Sequence, residues 1–348
     1  MIDTIRMRNF KCLRDISIDL EPFTMFVGAN GSGKSSILQA LDLLCRAFRG
    51  QQVQLDAEFL SNRSHGTTEE VELSCRSGKD HFRYRTRTQP LQPALYQIWA
   101  GDGAGFATDG NPSDWKQWQQ QNGTLPKPVW LRLDPNALRT AGSVQVSDPR
   151  SMLGQVSDPR IMLPNGQGLH SATASMNLED PDLWLKLQED LRRIVPAVRR
   201  LRHTPQNELL FDTINGKGLK AHQVSEGTLL TLGLLTAIHG VNKPGVLLLD
   251  DLDRALHPKA QRELIDLLRG VQTTNPEIQI VGSTHSPYLL DCMKPNEVRM
   301  TQLSDDGSTD CAALSRHPKF QKWKNEMHSG ELWSMFGEKW VTEQGAAS

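Results

Sequence analysis

Net charge is nearly absent from this chain: 39 Lys+Arg stand against 40 Asp+Glu in 348 residues, a formal charge of −1. No overall basicity announces nucleic acid, so any such binding has to rest on local patches. The five cysteines (Cys12, Cys45, Cys75, Cys292 and Cys311) are scattered, with no C-x-x-C pair and no metal-ligand spacing. That pattern argues against a disulfide framework or a zinc site and for reduced thiols in a cytoplasmic protein. No apolar run approaches membrane-spanning length. The charged start leads straight into strand-like alternation rather than a signal peptide. No sustained heptad segment is present, so no long coiled coil is expected. The hydrophobic share of 38% and the 27 glycines are ordinary for a globular protein of one large domain or two smaller ones.

Against these absences one stretch stands out. Gly28-Ala29-Asn30-Gly31-Ser32-Gly33-Lys34-Ser35 fits GxxxxGK[ST] without a mismatch. Thr24 to Val27 before it is an apolar run suited to a buried strand. After it Ile37, Leu38, Leu41, Leu44, Cys45 and Phe48 recur at helical spacing. A strand feeding a glycine loop that opens a helix aims backbone N–H groups and the positive helix end at one point, which suits a phosphate chain. Lys34 is expected to reach the β- and γ-phosphates and Ser35 to take one Mg²⁺ position. Asn30, Gly31, Ser32, Gly33 and Ser36 complete the expected nucleotide contacts.

Two further strand ends carry chemistry. Val246 to Leu249 is a four-residue apolar strand ending in Asp250-Asp251. Adjacent carboxylates at a buried strand end are costly unless a cation compensates them. Asp250 is therefore the expected metal-ordering carboxylate, and Asp251 is placed to polarise an attacking water; the lesser alternative is an acidic turn after a core strand. Ile278 to Gly282 is a second apolar strand, ending in Ser283-Thr284-His285-Ser286. Its position makes His285 a candidate sensor of the γ-phosphate.

The remaining pattern is that of an α/β protein. Two strands fill residues 2–20, turning at Asn9-Phe10-Lys11, and Val71 to Cys75 and His81 to Thr88 read as two more. On the latter Arg83, Arg85 and Arg87 share a face. Gln51 to Gly66 reads as a polar connection. Gly101 to Ser175 is polar and weakly periodic, and carries Gln-Val-Ser-Asp-Pro-Arg twice, from Gln145 and from Gln155. Two copies are too few for a solenoid. A helix runs from Pro181 to Pro196, basic residues cluster from its last turn onward at Arg192, Arg193, Arg199, Arg200 and Arg202, and a β-like stretch follows near Leu209 to Ile214. Ser225-Glu226-Gly227-Thr228 opens an apolar helix through Ile238, and Pro258 starts another. Two short strands follow, near Val298 to Leu303 and Cys311 to Leu314. The tail places Trp333, Phe336 and Trp340 at i, i+3, i+7, as one aromatic helix face.

Together, the GANGSGKS loop, the Asp250-Asp251 strand end, Leu256-His257-Pro258, and Ser283 to Pro287 resemble the ABC-type ATPases of the RecF, SMC and OLD group, which include many short bacterial AAA-family ATP-binding proteins. The resemblance covers roughly residues 1–50 and 220–300. It implies an ABC-type head: a mixed, largely parallel central sheet, N-terminal antiparallel strands and a helical lobe. The expected division is an ATPase core of 1–100 and 205–315, an insert with helical lobe at 101–204, and an amphipathic tail at 316–348. Lys11, in the Ile5-Arg6-Met7-Arg8-Asn9-Phe10-Lys11 opening, matches the group's basic residue near the nucleotide.

In this group two heads sandwich ATP, and the signature loop of one caps the γ-phosphate bound by the other. Ser225, Glu226 and Gly227 resemble that signature, though Ser225 also reads as an ordinary helix cap. Two departures mark the chain. Asp251 stands where the group most often has Glu, one methylene longer, which implies slow hydrolysis. The signature lacks its usual second glycine, and no glutamine-loop residue is marked out.

The expected function is an ATP-binding and ATP-hydrolysing switch, with ATP and Mg²⁺ as cofactors. It forms a homodimer or higher oligomer through an ATP sandwich, in antiviral defence or DNA maintenance. A separately encoded effector such as a nuclease is implied, since no nuclease-like domain is expected after residue 300. DNA is a candidate partner, with no membrane. A transporter's nucleotide-binding subunit, a weakly hydrolysing regulator and another P-loop enzyme such as a kinase remain as alternatives.

Overall fold

The computed structural model describes residues 1–49, 70–87, 95–100, 106–108, 125–140, 162–240, 245–323 and 325–345. The Gln51 to Gly66 connection, both Gln-Val-Ser-Asp-Pro-Arg copies and the Arg87 side chain lie outside the described residues. The chain forms two compact units. One comprises Met1–Trp130, Pro244–Leu252 and Pro276–Ser348; the other comprises Leu131–Lys243 and Asp253–Asn275. Residues 205–243 and 253–275, expected in the core, thus lie with the helical unit, and the tail lies with the first unit.

The first unit opens with β1 (Thr4–Phe10) and β2 (Leu13–Asp19), paired antiparallel from Thr4↔Asp19 to Phe10↔Leu13. Alternation buries Ile5, Met7, Ile16 and Ile18 on one face. The turn between the strands is tight, with Asn9 and Lys11 at positive φ (56° and 53°). β4 (Glu70–Ser77), β5 (Asp80–Arg87), β6 (Leu95–Ala100) and β7 (Phe106–Thr108) extend the sheet in the order β2-β1-β4-β5-β6-β7. Its polar face carries a cross-strand ladder of charge. Asp15 pairs with Arg6 at 2.8 Å and Arg8 at 3.3 Å, and Arg85 pairs with Glu70 at 2.8 Å and Glu72 at 2.7 Å. Arg85, one of three arginines expected to share a basic face, is therefore already matched by two carboxylates.

The second sheet has the order β15-β14-β3-β13-β12-β8, built from β3 (Phe23–Val27), β8 (Pro128–Leu131), β12 (Val246–Leu249), β13 (Gln279–Thr284), β14 (Val298–Leu303) and β15 (Thr309–Ala313). β12, β13, β3 and β14 run parallel, and β15 is antiparallel to β14. β3, β12 and β13 are buried throughout, as expected of parallel strands covered on both faces. The helix Lys34–Ala47 packs against β1 and β4 of one sheet and β12 and β13 of the other. Ile37, Leu38, Leu41, Leu44 and Cys45 are each 0% exposed and share one core with Met7, Leu73, Val246 and Val281. Gln279 pins the chain start into this core. Its Oε1 accepts from Ile2 N at 2.9 Å, and its Nε2 donates to Ile2 O at 2.8 Å and Glu21 O at 3.2 Å.

The tail corrects one expectation. Trp333 and Phe336 lie on the helix Ser329–Phe336, but Trp340 starts a separate helix, Trp340–Gly345. Gly337, at φ 59°, stops the first. The aromatics are gathered instead by His317, whose ring lies 4.8 Å from Phe336 and 4.9 Å from Trp340.

The second unit is the helical lobe: helices Pro135–Arg139, Leu169–Glu179, Pro181–Ile194, Glu226–Gly240 and Pro258–Thr274, with a three-stranded sheet β11-β10-β9. Asp180 caps Pro181–Ile194 by accepting from Leu183 N at 3.0 Å, and Pro196 ends it by disfavouring helical geometry just before itself. β9 (Val198–His203) pairs antiparallel with β10 (Leu209–Thr213), and β11 is Leu219–Lys220. Of the basic run, Arg192 and Arg193 end the helix Pro181–Ile194, while Arg199, Arg200 and Arg202 are the exposed arginines of a strand that buries Val198 and Leu201. Within the stretch expected to be aperiodic, Leu169–Glu179 is helical.

Candidate nucleotide site

The phosphate loop joins β3 to the helix Lys34–Ala47. Gly33, at φ 96° and ψ 0°, precedes that helix; no side chain caps it, and no acidic residue stands in its first turn. A helix start left to its own N–H groups favours an anion. Lys34 is buried and folds back over the loop, donating from Nζ to Gly28 O at 2.8 Å and Ala29 O at 2.9 Å. Ser32 is buried as well, while Asn30 and Gly31 are exposed. Ser36 Oγ lies 3.7 Å from Cys12 Sγ. Lys11 is turned toward the helix through a hydrogen bond from Nζ to Gln39 Oε1.

Two hydroxyls and a carboxylate converge beside the loop. Ser35 Oγ donates to Asp250 Oδ1 at 3.1 Å, and Ser283 Oγ donates to the same oxygen at 2.7 Å. Ser283 Oγ also accepts from Asp251 N at 2.9 Å. Asp251 has φ 51°, a left-handed backbone that Asp tolerates better than most residues. Its carboxylate is largely exposed, and its Oδ1 lies 4.0 Å from His285 Nε2. Hard oxygen donors from Ser35 and Asp250 beside a phosphate loop are the donor set Mg²⁺ takes when it keeps most of its waters. The residues present fit both an anionic phosphate chain and its cation.

Sequence reasoning missed the outer wall. Thr301, fully buried on β14, donates to Val27 O at 3.2 Å, and its Oγ1 lies 2.7 Å from Ser32 Oγ. A Cβ on Gly28 would come within 2.1 Å of Thr301 O, so the loop leaves β3 where only glycine fits. Thr309 on β15 stands behind Gly33, 2.4 Å from where a Cβ would be. Neither threonine sits in a motif. Ser283 stands in the Ser283-Thr284-His285-Ser286 stretch, where the imidazole is the more conspicuous group.

The signature-like residues belong to the second unit. Ser225 Oγ accepts from Thr228 N at 3.3 Å, capping the helix Glu226–Gly240. Glu226 pairs with Arg254 at 3.2 Å. Gly227 passes so close to Ala255 O that a Cβ would stand 2.4 Å from it. In the same unit His257 Nδ1 accepts from Lys259 N at 3.3 Å, at the start of Pro258–Thr274.

A family model described as "AAA domain, putative AbiEii toxin, Type IV TA system" matches residues 169–291, and one described as "AAA ATPase domain" matches residues 1–81. The OLD nuclease of Thermus scotoductus is 26% identical over 88% of this chain and 63% of its own length. The Septu protein PtuA of Bacillus mycoides is 24% identical over 85% of the chain and 40% of its own length. The DNA replication and repair protein RecF of Acinetobacter baumannii is 27% identical over 76% of the chain and 86% of its own length. An SMC head, solved bound to the C-winged helix domain of ScpA, superposes with TM-score 0.59 at 15% identity, covering 92% of this chain and 99% of that one. The fold is that of an SMC head, and the sequence matches are to AAA-type ATPase domains and to OLD and RecF proteins, so the chain is similar to the ABC-type ATPases of that group. Within it, the chain spans 63% and 40% of the length of the OLD nuclease and PtuA relatives.

Proposed function

We propose that this chain is an ATP-driven switch: it binds ATP at Gly28 to Ser36, dimerises head to head on it, and is released by hydrolysis. The convergence of Ser35 and Asp250 beside an uncapped, glycine-preceded helix start supports this reading most directly. The first-turn N–H groups hold the phosphates, with Lys34 moving from the loop carbonyls onto the β- and γ-oxygens. Ser35 and Asp250 hold Mg²⁺, which when bound neutralises phosphate charge. Asp251 orients the attacking water, and His285, near it, senses the γ-phosphate. Ser225, Glu226 and Gly227 of a second copy close the site in trans, and Lys11 supplies further positive charge. Catalysis of this kind is positioning plus charge neutralisation, so the short Asp251 on its left-handed backbone gives slow turnover. That same residue favours, as a second reading, a regulator that binds ATP and rarely hydrolyses it.

The setting we propose is antiviral defence or DNA maintenance, acting through a separately encoded effector such as a nuclease. The names of the OLD nuclease and RecF relatives support it. For DNA, exposed Arg199 and Arg200 on β9 are better placed than β5, because neither has a carboxylate partner among the described residues. The test is sizing chromatography with and without Mg-ATP. Asp251→Asn is expected to trap an ATP-dependent dimer, and Ser225→Arg to prevent it. Elution of both variants that ignores ATP would sink the proposal.

A further inference from the structure

Ser283, the last residue but one of β13, is fully buried, two residues before His285. The β12–β13 register ends at Leu249↔Gly282; just beyond it Ser283 continues the connection. Its hydroxyl donates to Asp250 Oδ1 at 2.7 Å and accepts from Asp251 N at 2.9 Å, while its carbonyl accepts from Leu252 N at 2.9 Å. One residue thus holds the Asp250 carboxylate and both peptide N–H groups that flank Asp251, whose φ of 51° needs an external hold to persist. The other donor on Asp250 Oδ1, Ser35, belongs to the phosphate loop itself. Ser283 is anchored in a buried strand and is the fixed reference of the pair.

We propose that Ser283 is a positioning residue of this site. It fixes the Asp250 carboxylate toward Ser35 and keeps Asp251 in its left-handed conformation, so that two neighbouring carboxylates serve separate tasks. This rests on the ATPase reading above. A buried serine kept only to satisfy local hydrogen bonds would affect stability alone. A positioning serine affects turnover and metal dependence while leaving metal-free nucleotide binding as it was.

Ser283→Ala in the full chain removes one hydroxyl and adds no bulk. Losing one hydrogen bond to a charged carboxylate is expected to lower kcat by about tenfold, with KM for ATP within about twofold. The Mg²⁺ concentration for half-maximal binding of a fluorescent ATP analogue is expected to rise, and binding of that analogue in EDTA to stay at the wild-type value. Added to Asp250→Asn, the substitution is expected to cause no further change in Mg²⁺ dependence, because the two act as one unit. Ser283→Thr, which keeps the hydroxyl, is expected to recover the Mg²⁺ dependence. The proposal is overturned if Ser283→Ala matches wild type in kcat and Mg²⁺ dependence, if it weakens EDTA binding equally, or if its effect adds in full to that of Asp250→Asn. A wild-type chain that binds no nucleotide, indistinguishable from Lys34→Ala, overturns the ATPase reading and this inference with it. A nucleotide-binding wild type with a silent Ser283→Ala overturns this inference alone.

Discussion

Two glycines of the phosphate loop resist substitution for different reasons, and comparing them tests where the phosphates lie. Gly28 has φ +155°, and a Cβ there would meet Thr301 O at 2.1 Å and Thr301 Oγ1 at 2.5 Å. The carbonyl belongs to the backbone of β14 and cannot swing aside as a side chain does. Backbone strain and overpacking together put Gly28→Ala at about 2–5 kcal/mol of lost stability. Gly31, at φ +80°, meets no atom within 4 Å, so Gly31→Ala costs only the left-handed strain, about 1–2 kcal/mol. At about 2–4 °C per kcal/mol for a unit of this size, Gly28→Ala is expected to melt clearly earlier than Gly31→Ala. With ATP the order of effects changes. Mg-ATP at about 100 times its Kd is expected to stabilise the wild type by about 2.7 kcal/mol, a gain the Gly31 methyl abolishes if the phosphates lie over its Cα. Thermal unfolding of both variants, with and without Mg-ATP, reads both effects. A Gly31→Ala protein with the full ATP-induced rise refutes the placement of the phosphates, and a Gly28→Ala protein as stable as Gly31→Ala refutes the tight seating against Thr301.

Gln279→Leu is expected to destabilise the first unit by about 2–4 kcal/mol, since it strips partners from the buried N–H and C=O of Ile2; faster amide exchange across residues 2–10 checks it. In the second unit burial, with the nearby His170 adding to it, holds His203 down to about 4, and burial lowers His170 too. The unfolded imidazoles, near 6.5, bind more protons than the folded ones between pH 6.5 and about 4, so stability is expected to fall as pH falls through that window. His203→Gln should flatten the loss, as read from urea midpoints at pH 7 and pH 5.

Elements with strong periodicity or sharp punctuation were legible. The phosphate loop, the apolar strands ending at Leu249 and Thr284, and the helix between Pro181 and Pro196 all follow from local pattern. β9 was not, because Val198-Arg199-Arg200-Leu201-Arg202-His203 reads first as charge. Only its pairing with β10, where Arg202 meets Asp212 at 2.8 Å, shows those arginines as the outer face of a strand. The tail failed differently: i, i+3, i+7 spacing held for its aromatics, but Gly337 broke the helix between them. Ser283, Thr301 and Thr309 escaped because serine and threonine within and at the ends of strands are common, and only tertiary placement decides which of them bears on a site.

That placement explains why the site is only half written in its motif. β3, which delivers the phosphate loop, lies between β13 and β14, strands more than 250 residues later in the chain. The loop's own hydrogen bonds hold Lys34 and little else. Its outer wall is Thr301 and Thr309, and its carboxylate is held by Ser283. Residues 28–35 therefore specify the curl of a loop, while its direction and rigidity come from a sheet completed only when β13, β14 and β15 have joined β3. Long-range closure of this kind is slow to form, and once formed it is packed on both sides, which suits a site that works by fixed geometry. The acidic pair shows the same division. Sequence puts Asp250 and Asp251 side by side, where their charges would compete; the strand end and Ser283 give one a partly buried, hydrogen-bonded place and the other a strained, exposed one.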